Sequence, residues 1–304
     1  MPITLHHVAL ASPKAEDAVA WYTEDWGLHE VSREGSHVRL GAAEDQGDDY
    51  SLVLVTGEQK TVDHFCLVSD DEQTIVALEQ KVREGGVTVL EDAPSCPGLV
   101  RAFHIVDLDG RHVEIGFRPA AAEAPEVSPS SDAIPLKPGH IVLNTPDIKA
   151  STDWYQEKLG FGLRDYRAEQ MSFLYYNNDH HTVAFNNAPH ASLNHVAWEL
   201  PEINQFFRAV GRSGESPRGE KLYGPGRHGP GDYVFCYFLD PMGFICEYEC
   251  DGIKVLDPAD YPFRIWEYSP ESADQWLGTL SGGLPQRFRE AATNEPDPGL
   301  LINH

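Results

Sequence analysis

The amino-acid sequence predicts an α+β fold of two duplicated halves, each of which runs twice through a strand–helix–strands pattern. Two observations predict it: an internal repeat with constant spacing, and amphipathic helix patterns that follow strand-like runs in both halves. The chain has 304 residues, which is enough for two ordinary domains. Its 41% hydrophobic and 23% charged residues are typical of a globular protein.

The repeat is clearest between HHVALASPKAEDAVAWYTEDWGL (6–28) and GHIVLNTPDIKASTDWYQEKLGF (139–161). Both segments are typical of a strand, a loop, an amphipathic helix and a glycine that ends the helix. Matching positions lie 133 residues apart, and they are His7 and His140, Pro13 and Pro146, Trp21 and Trp154, Tyr22 and Tyr155, and Gly27 and Gly160.

Later segments repeat in the same way. HIVDLDGRHVEIGF (104–117) resembles YFLDPMGFICEYEC (237–250), again 133 residues away, and TVDHFCLVSD (61–70) resembles SLNHVAWELP (192–201), 131 residues away. These matches pair Asp107 with Asp240, Gly110 with Gly243, Glu114 with Glu247, and His64 with His195.

Each half contains a second helix pattern. Ser69 and Glu72 have the spacing of a capping box, and Gly85 is expected to end the helix that they start. The apolar stripes that predict the two helices are Ile75, Leu78 and Val82 in the first half, and Ile203, Phe206 and Val210 in the second.

The repeat and the composition predict the domain boundaries. We expect an N-terminal domain over residues 1–118, a linker rich in proline, alanine and serine over 119–136, and a second domain over 137–250. Residues 251–304 match nothing in the first half and form a C-terminal extension.

The charge excludes several partners. The chain has 48 acidic and 23 basic residues and a formal net charge of −25, which argues against binding to nucleic acid or to an anionic membrane. No apolar run approaches the roughly 18–20 residues of a membrane span, and the N-terminus does not resemble a signal peptide. Five cysteines without a CxxC pair argue against a disulfide framework or a zinc–thiolate site. Together these features predict a cytoplasmic protein.

LNHVAWEL (193–200) places a histidine in an apolar run. In a strand, His195 would lie on the face opposite Val196 and Trp198. A lone histidine of this kind is more often a hydrogen-bonded core residue than a ligand. In the second half, however, His140, His195 and Glu247 all lie on strand-like runs, opposite the main apolar stripe. Two imidazoles and one carboxylate suit a divalent transition metal and leave coordination positions open.

These motifs resemble the type I extradiol ring-cleavage (catechol) dioxygenases of the vicinal oxygen chelate superfamily. The resemblance covers about residues 5–250, and GPGRHGPGDYVFCYFLDPMGFICEYE is its most specific part. It implies tandem βαβββ modules, four in all, forming two domains that are each an incomplete β-barrel with outer helices. It also implies Fe(II), less often Mn(II), held by His140, His195 and Glu247.

The resemblance further implies the catalytic residues. In NNDHHTVAF we assign the acid–base role to His181, which precedes His195 by 14 residues. That spacing is one residue shorter than is usual in the family, so His180 stays open. His228 and Tyr237 match two further active-site positions. The implied reaction is extradiol (meta) cleavage of a catechol-type diol, with both atoms of O2 incorporated, by a homo-oligomer.

Histidine suits the acid–base role because its unperturbed pKa of about 6.5 lets it exchange protons near neutrality. His181 would accept a catechol proton and later return one. Tyr237 would hydrogen-bond the substrate oxygen, and His228 would support that side of the pocket.

The first half keeps the ligand types at His7, His64 and Glu114. The catalytic positions differ, because Tyr50, Ser95 and His104 stand where His181, His228 and Tyr237 would be. We therefore expect residues 1–118 to be a non-catalytic duplicate, 137–250 to be the catalytic domain, and 251–304 to cover or flank the site. Whether the first half binds a second metal stays open.

Three other functions are kept: a hydroquinone-type dioxygenase, a glyoxalase-like metal-dependent isomerase, and a sequestering protein of the bleomycin-resistance type. The substrate also stays open. Arg227 and Arg264 are candidates to bind a carboxylated catechol. Aromatic residues of the extension either cover the site or pack on the domain surface, and these are Tyr261, Phe263, Trp266, Tyr268 and Trp276.

Overall fold

The computed structural model describes residues 2–90, 93–120, 133–276 and 284–296, which form two open β-sheets with helices packed against them. The predicted α+β class, with one sheet per repeat, is confirmed. Much of the predicted linker (121–132) and parts of the extension (277–283 and 297–304) lie outside the described residues.

The first sheet has seven strands in the order β2-β3-β4-β1-β5-β7-β6. Among the described strands its two edges, β2 and β6, are not paired with each other, so the barrel is incomplete, as expected. The strands are β1 (Thr4–Ser12), β2 (His29–Glu34), β3 (His37–Gly41), β4 (Leu52–Thr56), β5 (Thr61–Ser69), β6 (Arg101–Val106) and β7 (His112–Phe117).

The second sheet has nine strands in the order β13-β14-β15-β12-β8-β11-β10-β9-β16. β16 comes from the extension and pairs in parallel with β9. The strands are β8 (Lys137–Thr145), β9 (Gly162–Arg167), β10 (Met171–Tyr175), β11 (Val183–Asn187), β12 (Ser192–Glu199), β13 (Glu220–Arg227), β14 (Val234–Leu239), β15 (Ile245–Cys250) and β16 (Arg264–Trp266).

One module is less regular than the βαβββ pattern predicts. Among the described residues, which leave out 91 and 92, the counterpart of β13 in the first sheet is a single bridge between Val89 and Ile105. The second module of the first half is therefore reduced to βαββ plus this bridge.

The helices are short. They are α1 (Ala15–Ala20), α2 (Glu72–Glu84), α3 (Ile148–Trp154), α4 (Ile203–Gly214), α5 (Pro270–Ala273) and α6 (Gln286–Thr293). α1 and α3 continue as π-helical turns and end at Gly27 and Gly160, whose positive φ angles of 104° and 84° favour glycine.

The predicted cap of α2 is wrong. The N-cap is Asp71, whose side chain accepts a hydrogen bond from the Thr74 backbone N–H. Ser69 is still the last residue of β5, and its hydroxyl accepts from the Asp71 N–H. The strand therefore runs two residues too far for Ser69 to cap the helix.

The two halves share one apolar core. Trp26 of the first half stacks on Tyr248 of the second with ring centroids 3.6 Å apart, and the Tyr248 hydroxyl donates to the Trp26 carbonyl at 2.6 Å. Both side chains are fully buried. No helix in the described part of the chain is both long and apolar enough to cross a membrane.

The repeat also produces a reciprocal pair of hydrogen bonds between the halves. Tyr22 donates to Asp240 Oδ2 at 2.8 Å, and its counterpart Tyr155 donates to Asp107 Oδ2 at 3.0 Å. All four residues are buried. Asp107 Oδ2 also accepts from Arg111 Nη1 at 3.0 Å.

We expect Tyr22→Phe to lower the free energy of unfolding by about 1–3 kcal/mol, because a buried carboxylate oxygen loses its donor. Tyr155→Phe should cost less, since Arg111 still serves Asp107. Urea unfolding of both variants measures the difference. Tyr166→Phe, which loses no hydrogen bond among the described residues, is the control. Equal losses in Tyr22→Phe and Tyr155→Phe would contradict this account.

Candidate metal centre

The residues of the candidate site come from neighbouring strands of the second sheet. Ala197 on β12 lies opposite His140 on β8 and opposite Glu247 on β15, and Glu247 in turn lies opposite Tyr237 on β14. Opposite residues point to the same face of a sheet, so these side chains form one row. His195 is two residues before Ala197 and shares that face. The small Ala197 methyl lies in the row between the two larger side chains.

The structure brings His140, His195 and Glu247 together. One potential ligand atom from each lies within 4.8 Å of the others. Glu247 Oε2 is 3.0 Å from His195 Nε2 and 3.5 Å from His140 Nε2. Less than a tenth of each residue is exposed.

Both imidazoles are oriented by groups on their far side. His195 Nδ1 forms a hydrogen bond of 2.7 Å with the Asn194 side-chain oxygen, and His140 Nδ1 lies 2.9 Å from Glu249 Oε2 in an ion-pair contact that lacks hydrogen-bond geometry. Each ring therefore directs Nε2 at Glu247, which is the arrangement usual for metal-bound histidines. Burial disfavours a charged His140, but the Glu249 and Glu247 carboxylates raise the pKa of His140 to about 10.

The donor set fits a divalent cation. Neither oxygen of the fully buried Glu247 carboxylate has a hydrogen-bond partner among the described residues. Burial favours its protonated form, yet the neighbouring imidazoles hold the pKa of Glu247 well below its usual range. A buried anion without hydrogen bonds is costly, and a bound cation would remove that cost. Two imidazoles and a carboxylate are a donor set that suits non-haem iron and manganese.

The two adjacent histidines have different surroundings. His181 lines the cavity beside the site, and its ring centroid is 4.2 Å from that of His140. His180 is fully buried, with Nδ1 3.0 Å from His181 Nδ1 and Nε2 3.1 Å from Asp165 Oδ2. Asp165 also accepts hydrogen bonds from Tyr261 and Trp266.

This chain of contacts sets the tautomer of His181. Burial alone would raise the pKa of Asp165, but the hydrogen bonds donated to its carboxylate lower it. The carboxylate is therefore charged and can only accept hydrogen bonds. His180 therefore carries its proton on Nε2, and its Nδ1 accepts from Nδ1–H of His181. Burial lowers the pKa of His180, and that of His181 lies well below its usual value, so both rings are neutral. The Nε2 of His181 is left unprotonated.

His228 and Tyr237 form the opposite side. His228 Nδ1 donates to the Ala273 carbonyl at 2.7 Å, so its Nε2 accepts from the Tyr237 hydroxyl at 2.8 Å. The His228 ring stacks on Phe235 at 3.9 Å. Burial, reinforced by Glu247, raises the pKa of Tyr237 well above its usual value, so the phenol stays protonated.

A cavity of about 300 Å³ joins these groups, and the extension closes one side of it. Among the described residues its wall includes His140, His181, His195, His228 and Tyr237, apolar Val142, Met171 and Phe173, and Tyr268, Ser272, Ala273, Phe288 and Ala292 from the extension. Fully buried Glu247 is not part of the wall.

The other aromatic residues of the extension lie elsewhere. Tyr261 and Trp266 bind Asp165, while Phe263 and Trp276 are exposed. Neither Arg227, which pairs with Asp232 and Asp251, nor Arg264 lines the cavity.

Sequence reasoning missed three buried charged residues near the site: Asp165, Glu249 and Arg167, of which Arg167 lines the cavity. Glu249 could have been found, because it follows Glu247 by two residues and so shares its face of the strand. Asp165 and Arg167 lie on β9, and nothing in the local pattern marks them.

The corresponding cluster of the first half is built differently. His7 Nε2 is 3.1 Å from His64 Nε2 and 3.5 Å from Glu114 Oε2. Both Glu114 oxygens accept hydrogen bonds from Ser95, Oε1 from its backbone N–H at 2.9 Å and Oε2 from its hydroxyl at 2.5 Å. The carboxylate is thus satisfied by the protein, unlike Glu247.

Other groups around the first-half cluster are retained. His64 Nδ1 is 2.7 Å from Asp63 Oδ2, and His7 Nδ1 is 2.8 Å from His6 Nδ1. The His7 and His64 rings therefore still have polar neighbours that orient them. In the sequence, Tyr50, Ser95 and His104 had indicated that the surroundings of these ligands differ from those of the second half.

Comparison with known proteins agrees with this geometry. Residues 137–248 match the family model of the glyoxalase/bleomycin resistance protein/dioxygenase superfamily. Metapyrocatechase 2 from Cupriavidus necator is 26% identical over 72% of this chain and 73% of its own length. The manganese-dependent 2,3-dihydroxybiphenyl 1,2-dioxygenase from Geobacillus genomosp. 3 is 24% identical over 90% of this chain and 92% of its own.

A solved structure extends the likeness to the whole fold. The Mn(II)-bound glyoxalase from Novosphingobium aromaticivorans is 26% identical, covers 98% of this chain and 97% of its own, and superposes with a TM-score of 0.84. Residues 137–248 therefore match the glyoxalase/bleomycin resistance protein/dioxygenase superfamily, and the chain is similar over most of its length to proteins named as dioxygenases and to a glyoxalase.

Proposed function

We propose that this protein is an extradiol dioxygenase that opens the ring of a catechol-type diol with O2, at Fe(II) or Mn(II) held by His140, His195 and Glu247. The observation that carries the proposal is the buried carboxylate of Glu247, which has no hydrogen-bond partner among the described residues and faces the Nε2 atoms of His140 and His195 beside a cavity. The metapyrocatechase and manganese-dependent relatives support both the reaction and the choice of metals.

When bound, the metal supplies open coordination positions at which diol and O2 can be held together, and it polarises the diol oxygens. The protein residues supply proton transfer, orientation and exclusion of water.

His181 is the base in this proposal. Its Nε2 is unprotonated and lies on the cavity wall, so it can accept a proton from a diol hydroxyl. As the proton arrives, Nδ1–H of His181 stays hydrogen-bonded to His180, whose other nitrogen is bound to Asp165. The negative charge of Asp165 stabilises the imidazolium, which can then return the proton as the ring opens.

Tyr237 and His228 orient the other side of the substrate. The Tyr237 hydroxyl donates to His228, so the phenol oxygen keeps a lone pair that can accept from a diol hydroxyl. The Ala273 carbonyl fixes the His228 tautomer and thereby the direction of the Tyr237 proton.

We further propose residues 137–250 as the catalytic domain, residues 1–118 as a non-catalytic duplicate, and a cytoplasmic homo-oligomer as the working form. All five cysteines are buried and unpaired, which supports a reducing compartment. The oligomeric state rests on the family resemblance.

A glyoxalase-like isomerase is the second candidate, and the Mn(II)-bound glyoxalase from Novosphingobium aromaticivorans favours it. Such isomerases usually place four protein ligands between paired modules. Here the described residues place a group of three potential ligands within each sheet, His140, His195 and Glu247 in the second and His7, His64 and Glu114 in the first. The reactions differ in one reactant, since isomerisation consumes no O2. A hydroquinone-type dioxygenase would consume O2 but would cleave 1,4-diols.

We expect protein loaded anaerobically with Fe(II), then mixed with a panel of catechols and air, to take up one O2 per diol and form a yellow ring-opened semialdehyde. Oxygen-electrode and absorbance traces measure both. A parallel panel of hydroquinones tests the other dioxygenase. Conversion of an α-keto thiohemiacetal without O2 uptake, and no cleavage of any diol, would instead support the isomerase.

The metal content of two variants should show which half of the chain binds the metal. We expect Glu247→Ala to lose its metal and its activity together, because the carboxylate is the only anionic ligand. The double variant His7→Ala/Glu114→Ala should keep both the metal of the second half and turnover per metal, since Ser95 already satisfies Glu114. Elemental analysis of purified protein, with circular dichroism as the folding control, measures this. Lost cleavage in a folded double variant would place chemistry in the first half.

His181→Asn should lower turnover by about 10²–10⁴-fold, the usual effect of removing a positioned acid or base. It should leave metal content and anaerobic diol binding intact. His180→Asn is the matched comparison, and it should lose much less because an amide oxygen can still accept from Nδ1–H of His181. The assignment is reversed if His180→Asn is inactive and His181→Asn turns over normally.

A further inference from the structure

Arg167 is a buried cation on the wall of the candidate active-site cavity. It is the last residue of β9 and is only 6% exposed. Its Nε donates to the Ser272 hydroxyl at 2.8 Å and its Nη2 to the Ser269 carbonyl at 3.1 Å. Both acceptors are neutral, and Nη1 donates to no atom of the described residues.

No carboxylate compensates this charge. Among the described residues, Arg167 forms no ion pair, and its guanidinium lies 4.5 Å from the centre of the Tyr268 ring. In a chain with 48 acidic and 23 basic residues, most arginines have acidic neighbours available. A buried guanidinium without an anion is costly, because neutral acceptors replace only part of its hydration.

The charged side chains of the cavity wall are also positive. Its described residues include two arginines, Arg167 and Arg289, and no aspartate or glutamate. Arg289 on α6 is exposed and donates to the Leu284 carbonyl. A cavity that is positive on one side and apolar along Val142, Met171 and Phe173 suits an aromatic ring with an anionic substituent.

We propose, building on the proposed function, that the substrate is a catechol with a carboxylate substituent and that Arg167 binds this carboxylate. The planar guanidinium matches a carboxylate in shape, and Nη1 is free to donate to it. Ser269 and Ser272 hold the other nitrogens, so the group is already oriented when the substrate enters. Arg167 thus determines specificity while His140, His195 and Glu247 hold the metal.

The test compares catechols with short carboxyalkyl chains against their methyl esters, which have the same diol and nearly the same shape. For wild-type protein we expect kcat/KM to favour the acid over its ester. Arg167→Met should lower kcat/KM for the acid by about 10–100-fold, mainly through KM, because a charge-assisted hydrogen bond is lost. The kcat/KM of this variant for the ester should change little.

Two further variants complete the design. Arg167→Lys keeps the charge and should restore part of the preference for the acid. Arg264→Met removes an exposed arginine of the neighbouring strand that does not line the cavity, and should leave the preference unchanged. If Arg167→Met fails to fold, the Arg167→Lys variant and the wild-type ratio of acid to ester carry the test.

The possible failures are distinguishable. Equal kcat/KM for acid and ester in an enzyme that cleaves catechols would overturn the inference about Arg167 and leave the dioxygenase intact. If no diol is cleaved, the proposed function fails, and anaerobic equilibrium binding of acid and ester still tests Arg167. Weaker binding of the acid in Arg167→Met supports the carboxylate site, and unchanged binding refutes it.

Discussion

The burial of Glu247 as an anion in the middle of a sheet is the constraint on which the site depends. β15 lies between β14 and β12, so the backbone around Glu247 is paired on both sides and its side chain cannot move out to solvent. The charge must therefore be compensated locally. Imidazole nitrogens of His140, His195 and His228 lie within 3.5 Å of its oxygens, but none makes a well-directed hydrogen bond. This arrangement suits a cation bound jointly by the Glu247 carboxylate and the nitrogens of His140 and His195.

The first half shows a different solution to the same problem. Glu114 is equally buried on the corresponding strand, yet Ser95 donates to both of its oxygens. The position that Ser95 occupies belongs in the second half to His228, whose ring instead turns to Tyr237 and the Ala273 carbonyl. The duplicated fold thus positions both carboxylates, and the loop residue beside each one differs: Ser95 donates to both oxygens of Glu114, whereas neither oxygen of Glu247 has a hydrogen-bond partner among the described residues. Fold and reactivity are separable here because the sheet fixes the strands while the loops fill the site.

Sequence patterns predicted what the repeat and the strand period control. The repeat predicted two duplicated halves, and the alternation of side chains predicted that His140, His195 and Glu247 each lie opposite the apolar stripe of their strands. The cap of α2 was misplaced by two residues, because the end of β5 depends on pairing with β7 and not on local sequence. The role of Asp165 could not be predicted, since its partners Tyr261 and Trp266 come from an extension with no counterpart in the first half. The proposed choice of His181 over His180 likewise depends on Asp165, which binds the His180 ring and leaves His181 on the cavity wall.

The charges of the molecule act at two ranges. A net charge of −25 repels an anionic substrate at a distance, but in physiological salt this repulsion is screened beyond a Debye length of about 8 Å. Inside the cavity, where water is excluded, Arg167 and the metal site act at short range and are screened far less. Recognition of a carboxylated diol would therefore depend on contacts made after entry and not on long-range attraction. The residue proposed to select the substrate is also separate from the proposed metal ligands, because Arg167 lies on β9 whereas the ligands lie on β8, β12 and β15. Such a separation would allow substrate preference to change through the strand edge and the extension without disturbing the buried carboxylate on which the chemistry depends.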